Sequence, residues 1–306
     1  MSTLSPTRFP FRAMAGENEL QLHAATPEHA ARAARAAINE VARIEAKYSR
    51  YRADSVVSRI NAAAGIGAVP IDEETAALLE YAHACWRESG GLFDPTSGVL
   101  RRAWRFEEGR VPADGEIAPL LDLVGWSRVE RDGASVRLPL PGMELDFGGF
   151  GKEYAVDRAG AVLRGMGIES ALVNLGGDIL VTGPAPGGAS WRVGIRHPRR
   201  ADDLVATIAV GSGAIATSGD YERYFVKDGV RYCHILDPRS GHPVQGLQSV
   251  TVLGETCLIA GSASTIAMLK GEREGLEWLQ ASGVRHLSVD ARGRLHDATG
   301  AAGAAC

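Results

Sequence analysis

Asp146-Phe-Gly-Gly-Phe-Gly-Lys-Glu-Tyr-Ala-Val-Asp157 is the stretch on which the reading turns. Three glycines run into a segment with apolar residues at helical spacing. The spacing predicts a helix over Lys152 to Arg164, with Ala155, Val156, Ala159, Val162 and Leu163 on one side and Gly165 as its stop. Backbone N–H groups freed by the glycines, the positive end of a helix dipole and Lys152 together make a seat for phosphate oxygens. Asp146 could hold a ribose or a base edge. The same letters also fit a plain strand-to-helix turn, and that alternative stays open on this segment alone. A P-loop is excluded: it needs glycine five residues before the Gly151-Lys152 pair and Ser/Thr after it, where this chain has Asp146 and Glu153. Asp-Phe-Gly is also a kinase tripeptide, but no His-Arg-Asp catalytic loop occurs in the chain.

Outward from that turn, a helix opens at Thr26-Pro27, a hydroxyl cap followed by proline, and buries Ile38, Val41 and Ile44. Others fit Glu73 to Glu88, Leu258 to Leu269 and Glu272 to Gln280. Strand-type runs fall at Glu19–His23, Ser135–Leu138, Ala171–Val173, Asp178–Thr182, Trp191–Ile195, Leu204–Val210, Arg231–Ile235, Ser249–Leu253 and His286–Val289. Closely spaced strands flanked by helices predict an α/β (mixed α+β) fold with mixed, largely antiparallel sheets. No internal repeat and no long linker is evident. The expected division is an N-terminal extension over 1–13, one domain over 14–299, and a flexible tail over 300–306.

Composition excludes several function classes. The chain has 306 residues, 45% hydrophobic and 23% charged, with net charge −4, so it can bury a substantial core and lacks the basic excess of a nucleic-acid binder. The four cysteines, Cys85, Cys233, Cys257 and Cys306, are far apart and show neither zinc nor disulfide-framework spacing; reduced thiols are expected. No apolar run reaches the roughly 20 residues of a membrane span, so stable membrane insertion is not expected. Met1 to Pro10 has no apolar stretch behind its Arg8, and a cytoplasmic location is the expectation.

Gly211-Ser-Gly-Ala-Ile-Ala216 imitates a dinucleotide fingerprint, but Thr217-Ser-Gly-Asp220 after it reads as a turn instead of a helix, against a Rossmann unit. Ser218 lacks the flanking glycines of a nucleophile elbow. Leu92-Phe-Asp-Pro-Thr-Ser-Gly98 and the His234 to Val244 segment each carry an Asp-Pro turn. Together with the glycine-lysine turn, they suggest acidic loops converging on a ligand.

These segments resemble, in order and spacing from about Met14 to Gly271, the ApbE flavin transferases. The resemblance rests on Ser49-x-Tyr51-x-x-Asp-Ser55 with Asn61, on Gly91 to Thr96, and on Asp146 to Asp157. It continues through Asn174-Leu-Gly-Gly-Asp178, Ala216 to Tyr221, and His234 to Pro243. It implies a two-lobed fold with FAD in a cleft, and Mg²⁺-dependent transfer of FMN from FAD to a Ser/Thr hydroxyl of an acceptor protein with release of AMP. It further implies that Met14, Tyr51, Leu92, Phe93, Asp94, Asp146, Lys152 and Ile235 contact the flavin nucleotide. Lys152 and His234 become the candidates for electrostatic or proton-transfer help, and Gly149 (through its carbonyl) and Thr265 the implied metal ligands. Two departures stand out. Met14-Ala-Gly16 replaces the family's Met-Gly-Thr, and Ala260-Gly-Ser-Ala-Ser-Thr265 replaces Ala-Asp-Ala-Leu-Ala-Thr, so Gly261 stands where a metal-binding aspartate is usual. A nearby carboxylate such as Asp94, Asp220 or Asp237 would have to substitute, and Gly261→Asp is expected to raise metal affinity. Without a substitute, the alternatives are a non-catalytic FAD-binding protein or an FAD pyrophosphatase giving FMN and AMP.

Overall fold

The computed structural model describes residues 5–300. Its centre is an eight-stranded sheet in the order β1 (Thr7–Ala13), β2 (Gly16–His23), β6 (Ser170–Leu175), β7 (Asp178–Val181), β10 (Gly213–Gly219), β13 (Ser249–Gly254), β14 (Arg285–Val289) and β15 (Leu295–Asp297). The antiparallel pairing expected extends to all seven junctions.

Both faces of the sheet are covered, and the strand sequences alternate accordingly. Ala171, Val173 and Leu175 of β6, Ala214 and Ala216 of β10, and Val250 and Val252 of β13 belong to the main core, which lies under the helices. Leu172, Val181, Ile215 and Leu287, of opposite parity, pack with Trp191, Val193 and Ile195 of β8 (Trp191–Arg196) and Ile208 and Val210 of β9 (Leu204–Val210). The β8–β9 ribbon thus caps one face. Helices α1 (Pro27–Tyr48), α5 (Gly151–Gly165) and α6 (Cys257–Ala281) cap the other. α1 is held at its start by Thr26, whose hydroxyl accepts from His29 N at 3.2 Å, and it turns the small residues Ala30, Ala33, Ala34 and Ala37 inward. α6 begins on Thr256 and is bound to α5 by Asp157, which accepts from Cys257 N at 2.8 Å and Leu258 N at 2.9 Å. A carboxylate at a helix N-terminus satisfies orphan donors and opposes the macrodipole.

The second lobe holds α2 (Val56–Ala62), α3 (Glu73–Glu88), α4 (Asp114–Leu121) and a small sheet of β3 (Val69–Pro70), β5 (Ser135–Arg137) and β4 (Glu130–Arg131). A hairpin of β11 (Tyr224–Lys227) and β12 (Val230–Cys233) closes on it through Trp104, Phe225 and Tyr232. One buried cluster runs from Leu20 and Leu22 on the large sheet to Leu78, Trp126 and Val136 in this lobe. Cys85, Cys233 and Cys257 are buried free thiols; Cys306 lies outside the described residues. Among the described residues no helix is long and apolar enough to cross a membrane.

Several local features differ from the sequence expectations. Of the turn expected over Thr217–Asp220, Thr217 to Gly219 form the end of β10, a central strand, and the chain turns only at Asp220. The Gly, Ala and Ser residues of β10 carry little strand propensity, and the small Ala214 and Ala216 pack into the main core. The N-terminal extension expected over 1–13 contains the edge strand β1; residues 1–4 and 301–306, including most of the expected tail, lie outside the described residues. α2 and α4 were not foreseen, being short and, in α4, carrying Pro119. The two C-terminal helices are one element broken at Gly271 (φ 79°, ψ −176°). Past that break, Gly275 packs on the first segment, where an added Cβ would stand 2.3 Å from the Ala267 carbonyl oxygen. Gly275→Ala is therefore expected to cost about 1–3 kcal/mol, read from urea unfolding. Unchanged stability would contradict this backbone approach.

Candidate functional site

The glycine turn is locked by the other motifs. Phe147 O accepts from Phe150 N at 3.1 Å and from Gly151 N at 2.6 Å, which starts α5 without any side-chain cap. Asp146 is fixed from several sides: its N–H donates to Pro95 O at 2.9 Å, its Oδ1 accepts from Gly148 N at 2.8 Å, and its Oδ2 pairs with the Arg50 guanidinium. Just before it, the Asn61 side chain clamps both backbone groups of Leu145, accepting at 2.7 Å and donating at 3.0 Å. Two glycines lie close to other parts of the site, one of them too close for a side chain. A Cβ on Gly98 would lie 2.4 Å from Asp146 Cβ, and one on Gly149 would lie 3.2 Å from the Phe93 ring.

Around this turn opens a cavity of about 1150 Å³, above the roughly 300–1,000 Å³ common for small-molecule sites. Every residue that the resemblance implies as a nucleotide contact, proton-transfer candidate or metal ligand lines it: Met14, Tyr51, Leu92, Phe93, Asp94, Asp146, Gly149, Lys152, His234, Ile235 and Thr265. Leu92 and Phe93 are buried and form apolar wall, while Tyr51 is 77% exposed at the mouth, with its hydroxyl accepting from Arg50 at 2.7 Å. Met14 and Ala15 form the two-residue loop between β1 and β2, both with positive φ (53° and 61°). Hairpin twist calls for such angles, but for non-glycine residues they are strained. Met14 N donates to Glu45 at 2.8 Å, which holds the loop against the cleft.

The charged end of the cleft is built by α5, the β6–β7 turn, β10 and α6. Gly176 and Gly177 (φ 57° and 97°) turn the chain tightly enough to set Asp178 against Lys152, Nζ to Oδ2 2.8 Å. Burial works against the Lys152 ammonium, but Asp178 first and then Glu153 outweigh it, and its pKa is raised: it is a permanent cation. Glu153, 8% exposed, also lines the cavity, and its Oε2 has no hydrogen-bond partner. Burial and then Asp178 push its pKa up. Thr265 shares a 2.9 Å hydrogen bond with Ser218 of β10, which also meets Ser264 at 2.8 Å. His234 follows β12; desolvation between the cleft walls, then Arg223 and more weakly Lys152, lower its pKa to about 4. Its side chain lines the cavity with much of its surface exposed, and the shift favours the neutral imidazole.

The carboxylates expected to replace the missing aspartate do not do so. Asp94 accepts from Thr96 N (2.7 Å), Thr96 Oγ1 (2.6 Å) and Trp126 N (3.0 Å), so it holds its own loop. Asp220 is held by Arg199 at 2.6 Å and 2.7 Å, and Asp237 by Arg239 at 2.8 Å; neither lines the cavity. Gly261 itself abuts Glu153: an added Cβ would stand 2.5 Å from Glu153 Cγ and 3.0 Å from Oε1. The expectation for Gly261→Asp alone is thereby revised, because the new side chain would enter occupied space. No group of three or more His, Cys, Asp or Glu side chains among the described residues is arranged to hold a metal. The donors lining the cavity, the buried Glu153 carboxylate, the Thr265 hydroxyl and the backbone of Gly149, nevertheless fit Mg²⁺, which takes few carboxylates and fills its shell with water and phosphate.

Sequence reading missed Arg50, Arg101, Arg105 and Arg223 along the cleft, where cations suit a pyrophosphate. Arg50 sits beside Tyr51 in a quoted motif, but the pairing with Asp146, 96 residues away, exists only in the fold. Glu153 also stood inside the quoted stretch, with nothing in the sequence to tie it to Gly261.

A family model described as the ApbE family matches residues 14–288. The FAD:protein FMN transferase of Vibrio cholerae serotype O1 is 33% identical over 247 residues, covering 79% of this chain and 74% of that protein. That of Klebsiella pneumoniae is 36% identical over 230 residues, covering 73% and 71%. The crystal structure of the ApbE protein from Thermotoga maritima superposes with a TM-score of 0.88 at 34% identity, covering 96% of this chain and 97% of that one. The apo flavinyl transferase ApbE of Pseudomonas stutzeri gives 0.84 at 27%, covering 96% and 95%.

Two outcomes are expected from the site itself. Followed by NMR, the His234 imidazole should titrate near pH 4, about as its surroundings dictate, and stay neutral at pH 7. Its folded pKa lies below the ordinary value, so the stability linked to it is complete above about pH 6.5 and is lost as pH falls toward the folded value. A midpoint at or above 6.5 would contradict the lowered pKa. Ala15→Gly, which relieves one strained residue, should raise unfolding free energy by about 1 kcal/mol.

Proposed function

The chain belongs to the ApbE family, and on that premise we propose that it transfers the FMN part of FAD to a serine or threonine hydroxyl of an acceptor protein, releasing AMP, with Mg²⁺ as its metal. The observation that carries this reading is the convergence of six separated sequence motifs on one cleft with room for a dinucleotide. Residues 14–299 act as one transferase domain in this reading.

The acceptor oxygen attacks the phosphorus on the FMN side of the pyrophosphate. The bond from that phosphorus to the bridging oxygen breaks, AMP departs with the bridging oxygen, and the hydroxyl proton passes to the site or to water. Such transfers are governed by positioning and by neutralising charge. Leu92, Phe93 and Ile235 supply apolar walls for a ring system, and Met14 and Tyr51 stand at the rim. Lys152, held rigidly by Asp178, places a fixed positive charge where the pyrophosphate would lie. His234, neutral at working pH, can accept a hydrogen bond from the incoming hydroxyl and so orient it. Mg²⁺, held by the Gly149 carbonyl, Thr265 and a carboxylate, would neutralise charge on the phosphates.

The test is to mix purified protein with FAD and Mg²⁺, with and without an acceptor peptide, and to follow AMP and peptide-bound flavin. AMP that depends on acceptor supports the proposal. Acceptor-independent AMP points to a pyrophosphatase, and FAD binding without AMP to a carrier. Lys152→Met is expected to slow transfer by about 10²–10³-fold while flavin fluorescence quenching still reports binding. Unchanged turnover would remove Lys152 from the chemistry.

A further inference from the structure

We propose that Glu153 is a carboxylate ligand of the divalent cation in this cleft, supplied from α5 into the space left by the absent side chain at Gly261 of α6. The inference rests on the reading above that a cation works here, and adds which residue of this chain holds it. Three observations support it. Glu153 is about nine-tenths buried, lines the cavity and leaves Oε2 without a hydrogen-bond partner. Buried polar atoms are nearly always satisfied, and an unpaired carboxylate oxygen is among the more costly exceptions, so a partner absent from the polypeptide is called for.

Lys152, the adjacent cation, forms its ion pair with Asp178 at 2.8 Å and makes no hydrogen bond to Glu153 Oε2. The second observation is the fit between positions 153 and 261. With Cγ of Glu153 only 2.5 Å from where a Cβ at 261 would stand, the two sites cannot both carry side chains without movement. Glycine at 261 is thus the condition for the glutamate at 153, and the carboxylate reaches the same place from the facing helix. Third, the remaining donors are oxygens: Thr265 and Gly149 line the same cavity as Glu153. Hard cations of Mg²⁺ size select such a set, with water and substrate phosphate completing the shell.

The test uses Mn²⁺ as the probe, with free ion counted by electron paramagnetic resonance during titration of the full chain, with and without FAD. FAD binding is measured separately by flavin fluorescence, and folding by thermal melting. Glu153→Gln keeps the shape and removes the charge; it is expected to weaken Mn²⁺ binding at least tenfold while the variant still melts cooperatively. Gly261→Asp alone should give no gain in Mn²⁺ affinity. The exchange variant Glu153→Gly with Gly261→Asp should recover wild-type affinity to within about threefold, which a purely structural role for Glu153 would not produce. Wild-type Mn²⁺ affinity in Glu153→Gln, or no Mn²⁺ binding by the wild type with FAD present, overturns the inference. Either result, with FAD still bound and FMN still transferred, leaves the transferase reading standing; loss of FAD binding by the wild type would sink that reading instead.

Discussion

The Asp146 carboxylate is the point at which the two lobes are fastened to the glycine turn. One oxygen accepts from Gly148, the other from Arg50, and its backbone is tied to Pro95, so three segments far apart in sequence share one residue. A largely buried charge anchored this way depends on its partners staying in place, because removing one leaves the other poorly solvated. That couples the start of α5 to the loop bearing Leu92 and Phe93, and hence fixes wall and charged end of the cleft relative to each other. Asn61 adds a second tie, two backbone bonds to Leu145. Its place in the motif set is structural.

The outline of the fold was legible where local signals agreed with tertiary demands. Thr26-Pro27 opens α1, and α3 spans Glu73–Glu88 as its pattern and Asp72 cap require. Legibility failed where packing overrode propensity. β10 is largely Gly, Ala and Ser, weak strand formers, yet it lies in the middle of the sheet, with Ala214 and Ala216 in the main core and Ser218 hydrogen-bonded to Ser264 and Thr265 of α6. β1 pairs at the edge with β2 through a hairpin lacking glycine at either positive-φ position, so no turn signal announced it.

The site was legible as a set of residues and much less so as a set of roles. Motif order brought eleven residues to one cavity, but Asp94 proved to hold its own loop, and Asp220 and Asp237 lie outside it, held by arginines. The relation between Glu153 and Gly261 could not be read from the chain, since the two are 108 positions apart and the evidence for their exchange is a steric distance. Sequence shows an absent aspartate; only geometry shows what occupies its volume.

Glu153 and Asp157 lie one turn apart on α5, and both reach toward α6, the first beside Gly261 and the second at the helix start. A slip of α5 by a single residue would turn both carboxylates away together, losing the anchor of α6 along with the oxygen at the cleft. Misassembly of this helix pair therefore cannot yield a sturdy but miswired protein. Quality control of the cleft is delegated to the same turn of helix that keeps the molecule intact.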